Sequence, residues 1–88
     1  MKDNDVVTVV APTGEYVGRM LKFDETGIVL QNPRMITYSE DGMGFAAGIA
    51  ATGNPDPKEV TIMNIVFVTE CNVEIVKAWH QATSGIIL

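Results

Sequence analysis

The sequence predicts an all-β domain, a small and strongly bent five-stranded antiparallel open barrel with a short C-terminal helical turn. Three observations carry that expectation. Residues 6–30 read as three strand-like runs joined by two tight, glycine-containing turns. Residues 60–69, VTIMNIVFVT, form an apolar run of strand length. With 88 residues in all, the chain can build only one modest core.

Taken in order, residues 6–11 are rich in β-branched side chains and begin the first strand. Pro12-Thr13-Gly14-Glu15 is a turn: proline fixes φ and glycine accepts φ > 0. Residues 16–23 continue as a second strand with imperfect alternation, and a bend or bulge near Gly18 accounts for it. Asp24-Glu25-Thr26-Gly27 is the second turn. Residues 28–31 start a third strand, which breaks, bulges or lies at an edge at Pro33 before residues 34–38 resume it.

Residues 40–58 form a Gly/Ala/Pro-rich loop or insertion within the single domain 1–88. It holds Gly42, Gly44, Gly48 and Gly53, and Asn54-Pro55-Asp56-Pro57 is a turn signal. A loop of that length inside a compact domain calls for some internal order, and residues 45–51 are the candidate for a short strand. The run at 60–69 is expected as one strand, covered on both faces, with a neighbouring subunit as the second cover. Residues 73–76 are a fifth strand or the start of a helix, and residues 78–82 suit a helical turn stopped by Gly85. Ile86-Ile87-Leu88 is an apolar tail that would dock on a partner.

Composition narrows the function classes. Hydrophobic residues make up 47%, a surplus that a small domain often buries against copies of itself. Net charge is −5 with only six Lys and Arg, which disfavours tight binding to nucleic-acid phosphates. The single cysteine, Cys71, excludes an intramolecular disulfide framework. The polar start of the chain is unlike a signal peptide and no apolar run is long enough to span a bilayer, so a cytoplasmic location without membrane partners is expected.

The spacing of Gly14, Gly18 and Phe23-Asp24, followed by Ile28-Val29-Leu30, resembles the first Sm motif. Residues 66–73, VFVTECNV, are similar to the second. The chain therefore resembles the Sm-like family, that of eukaryotic Sm and Sm-like proteins and bacterial Hfq, and looks like a divergent phage or environmental member of it. That resemblance implies an SH3-like barrel and a homo-oligomeric ring of about five to seven subunits. Edge pairing between the last two strands would close the ring, placing Val60, Ile62, Met63, Ile65, Phe67, Val73 and Ile75 at the interface. It also implies RNA-binding positions at Asp24, Thr26, Gly27, Thr69 and Glu70. In this chain the turn is one residue shorter than the family's and offers no aromatic base platform. The Arg-Gly pair of the second motif maps to Thr69-Glu70, where a carboxylate would repel phosphate.

The remaining candidates are weak. Arg19, Lys22 and Arg34 are the available phosphate contacts, and solvated strand faces explain them equally well. Gly42, Gly44 and Gly48 lack the spacing and the Gly-Lys-Ser/Thr of a phosphate loop. One histidine, His80, with no ligand partners at suitable spacing makes no metal site, and Trp79 beside it reads as a packing residue. No catalytic constellation, cofactor or metal motif is visible. The expectation is a non-enzymatic, ring-forming protein that binds RNA or scaffolds it. The alternative is a homo-oligomeric module that holds an unidentified protein partner without RNA.

Overall fold

The computed structural model describes residues 1–46 and 48–83. Six strands and one helix follow in order: β1 (Val6–Ala11), β2 (Gly14–Asp24), β3 (Gly27–Ser39), β4 (Gly42–Phe45), β5 (Glu59–Ile62), β6 (Phe67–Glu70) and α1 (Val73–Thr83). All strand pairs are antiparallel. β1, β2 and β3 form a meander, with β6 beyond β1. β3 has two partners on its outer side: Ile28–Gln31 meets β5, and Ile36–Ser39 meets β4. The sheet bends into a half-closed barrel and stays open, since β5 and β6 do not pair.

The bend has identifiable causes. Between Val17/Arg34 and Arg19/Gln31, β2 advances two residues while β3 spans three. The extra β3 residue lies at Asn32 and Pro33, and Asn32 takes φ +49°. The Asn32 amide leaves the ladder and donates to the Lys58 carbonyl instead, at 2.8 Å. Of the break, bulge or edge position expected at Pro33, the structure shows the bulge, within a continuous strand. Gly18 faces this bulge; a Cβ there would lie 3.1 Å from Leu30 Cβ and 3.3 Å from Pro33 Cα. A second shift, between Met20 and Lys22, inserts a residue on β2. The two bulges explain why the second strand reads with broken alternation.

The core lies inside the bend. Val7, Val9 and Ala11 point inward from β1 and meet Tyr16, Met20, Ile28 and Leu30. The strict alternation of β1 follows from one face on the core and one toward water. A second cluster joins Val17 and Ile36 to Trp79 of α1. Trp79 is 2% exposed, and its indole Nε1–H donates to the Asn32 carbonyl at 2.9 Å. Arg19 covers the same ring, its guanidinium carbon 5.4 Å from the centroid. The helix is therefore fastened to the bulge by a residue that also fills the core.

Two expectations about elements are corrected, at 60–69 and 45–51, and the alternative left open at 73–76 is decided. The run at 60–69 is not one strand: residues 63–66 interrupt it, so β5 pairs with β3 and β6 with β1. Ile62, Ile65 and Val68, three residues apart, pack inward, so the apolar run reflects a turning chain rather than a strand covered on both faces. Residues 73–76 are helical, because the Asn72 side chain accepts the Glu74 amide at 2.8 Å and caps α1. Within the 40–58 segment the strand is Gly42–Phe45, set up by a tight turn at Ser39 and Gly42, and not 45–51. The expected helix stop at Gly85 and the tail Ile86-Ile87-Leu88 lie outside the described residues, as does Ala47. No helix among the described residues is long and apolar enough to cross a membrane.

Candidate assembly surface and turn groove

The Asp24–Gly27 turn is built by its own side chains. Asp24 Oδ1 accepts the Thr26 amide at 2.9 Å and the Thr26 hydroxyl at 2.5 Å. Lys22 Nζ lies 3.3 Å from Asp24 Oδ2. The Thr26 hydroxyl and amide, with help from Lys22, hold the Asp24 carboxyl down at about 2. Gly27 follows with φ +143°, and a Cβ on it would fall 2.5 Å from the Ile62 carbonyl oxygen and 3.1 Å from Met63 Cα. The turn is thus pressed against the end of β5, and only glycine fits there.

That close approach creates a groove of about 290 Å³. Phe23, Asp24 and Glu25 line one side, and Met63, Val66 and Phe67 the other. Four of its apolar side chains face water: Phe23 at 48% exposure, Phe67 at 52%, Val66 at 62% and Met63 at 76%. These four exposed side chains adjoin one another around the groove. The groove sits between two bare sheet edges. Among the described residues β5 pairs only with β3 and β6 only with β1, so each leaves one side of its backbone without a strand. Both edges are four residues long and carry one glutamate each, Glu59 and Glu70, but neither has a lysine, proline or bulge.

The expected site residues divide. Asp24 and Gly27 line the groove and Thr26 stands in the same turn. Thr69 and Glu70 lie further along β6, opposite Thr8 and Val7, and do not line it. The three cations are engaged within the chain. Arg19 donates to the Asn4 carbonyl at 2.7 Å and covers Trp79, and Lys22 is held by Asp24. Arg34 pairs with Asp56 at 2.9 Å, with its side chain 12% exposed. Asp56 also meets Lys58 at 3.1 Å, and Lys58 and then Arg34 lower its pKa.

Of the expected interface residues, Met63 and Phe67 are exposed, whereas Ile62 and Ile65 pack on the core and Val60 is half-buried. Val73 and Ile75 lie on α1 rather than on a strand; Ile75 packs beside Trp79. Sequence reasoning missed Phe23 and Val66 as surface residues. Asn64, a polar residue in the middle of the apolar run, was the available sign of a break there. Among the described residues no group of His, Cys, Asp or Glu could hold a metal ion, and His80 lies edge-on to Trp79 with ring centres 5.1 Å apart. No protein-family model matches the chain, and no curated protein is significantly similar to it.

Proposed function

We propose that the chain is a non-enzymatic, self-assembling module of the Sm-like type. In this reading the β5 edge of one copy pairs with the β6 edge of the next, and Met63, Val66 and Phe67 are buried at the seam. The observation that carries it is the coincidence, among the described residues, of two sheet edges without a strand partner and a cluster of exposed apolar side chains beside them. A contact between two different edges is head-to-tail, and repeated head-to-tail contacts close into a ring when the rotation permits. Strand addition supplies backbone hydrogen bonds, and the apolar side chains supply burial.

The assembled module is better suited to a protein ligand than to RNA. Asp24 and Glu25 stand at the mouth of the turn groove, and Arg19, Lys22 and Arg34 already have partners. Phosphate binding would have to break those contacts on a chain of net charge −5.

Light scattering tests the assembly: the expected mass is several times the 9.5 kDa of one chain. A monomer at micromolar concentration overturns the reading. Fluorescence anisotropy with short U-rich and A-rich RNAs at low salt tests the ligand class. Binding that weakens steeply with added salt would replace the protein reading with the RNA one.

A further inference from the structure

A second surface, remote from the edges of β5 and β6, has the makings of a docking site. The β3–β4 hairpin is amphipathic. Ile36 pairs with Phe45 and Tyr38 with Met43, so these four side chains share one face. The other face carries Thr37, Ser39 and two glycines. The apolar face begins in the core, where Ile36 is 6% exposed, and runs out to Tyr38 at 71%. Helix α1 covers only its inner end, through Ile75 and Ala78. Between them remains a cleft of about 160 Å³, lined by Ile36, Met43, Gly44, Phe45, Ile75 and Ala78. That is room for one large side chain.

The segments that border this cleft carry three carboxylates. Glu40 and Asp41 form the hairpin tip, and Glu74 stands one helical turn before Ala78 on the same side of α1. None of the three is in an ion pair among the described residues. Lys77, the cation of α1, projects roughly 160° away from Ile75 around the helix but only about 60° from Glu74, its i+3 neighbour, so the hairpin tip is the more acidic side. β4 pairs on one side only, and its glycines place no side chains over that hairpin's backbone.

We propose that the cleft between β4 and α1 docks an extended protein segment that carries a large apolar residue flanked by lysines or arginines. The apolar residue fills the space between Met43 and Ala78. The flanking cations meet Glu40, Asp41 and Glu74. An extended backbone suits the open side of β4. A second copy of this chain fits poorly, since it would bring the same acidic tip and a net charge of −5 against the rim.

Fluorescence anisotropy with labelled peptides on the whole protein tests the proposal. The probe is Lys-Arg-Thr-Leu-Thr-Arg-Lys; the controls replace its leucine by serine, or its cations by glutamates. The probe is expected to bind and both controls to lose at least about tenfold in affinity. Ala78→Trp, which fills the cleft, and the triple change Glu40→Lys, Asp41→Lys, Glu74→Lys should each weaken the probe by a similar factor. Circular dichroism checks that both variants are folded, and Met43→Ser gives a third variant with an unfilled cleft and an intact rim. Absence of probe binding overturns the proposal. So does equal binding of the serine control, or binding unchanged in all three variants. A fall in oligomer mass with Met43→Ser would assign the surface to a second copy and overturn it as well.

Discussion

Gly27 stands so close to Ile62 that a methyl group on its Cα would overlap the Ile62 carbonyl oxygen, at 2.5 Å. This contact joins the β2–β3 turn to the end of β5 and forms one wall of the turn groove. Gly27 also has φ +143°, where an L side chain is strained. Gly27→Ala is therefore expected to destabilise the fold by about 1–3 kcal/mol. Urea denaturation monitored by circular dichroism reads this as a lower midpoint. An unchanged midpoint would mean that the turn and β5 are not in contact.

The turn also has a pH signature. In the folded chain the Asp24 carboxyl sits at about 2, below its unfolded value of about 3.9. A depressed carboxyl contributes stability that is complete above its unfolded pKa and is lost as pH falls through its folded pKa. Asp24→Asn should therefore be less stable than the parent at pH 7, and the gap should close between pH 4 and pH 2. Thermal melts of both proteins across that range check it; a gap constant with pH would show that the Thr26 bonds do not need the charge. Because Asp24 is solvent-exposed, the pH 7 difference should be small.

Trp79 joins α1 to the bulge at Asn32, so its two contributions can be separated. Trp79→Ala removes a nearly fully buried indole and is expected to cost about 3–5 kcal/mol. Trp79→Phe keeps most of the packing but leaves the Asn32 carbonyl without its donor, at about 1–3 kcal/mol. Denaturation midpoints in that order support the anchor. Equal losses for the two would assign the whole effect to the hydrogen bond.

Assembly should depend on residues that the single chain does not need for folding. Phe67 is half-exposed on β6, and Met63 is the most exposed of the large apolar residues. Phe67→Glu and Met63→Glu should leave the fold within about 0.5 kcal/mol of the parent. Both should shift the mass seen by light scattering toward one chain. Ile65→Asp is a poorer probe, because Ile65 packs on the core and its loss would confuse unfolding with dissociation.

Much of the fold was legible in the residues themselves. Val6–Ala11 announces a half-buried strand by composition and alternation, and Pro12 to Gly14 announces its turn. The broken alternation around Gly18 correctly pointed to a bend. The run at 60–69 misled because a chain turning between two sheet edges buries every third residue, and in an apolar run this cannot be told from a strand apolar on both faces. The helix over Val73–Thr83 was ambiguous because β-branched residues suit either state; the Asn72 cap and the burial of Trp79 resolve it.

The candidate site was legible only in pieces. Asp24 could be identified as a turn-former from its local sequence, because it acts on a backbone amide two residues away. Its neighbours in the groove could not. Phe23 and Phe67 are far apart in the chain and line one groove only because two bulges curl the sheet and the chain changes edges at 63–66. Local patterning therefore determined which residues form strands and turns. Tertiary structure decided which apolar residues were left facing water, since that depends on what the opposite edge of the sheet brings to cover them.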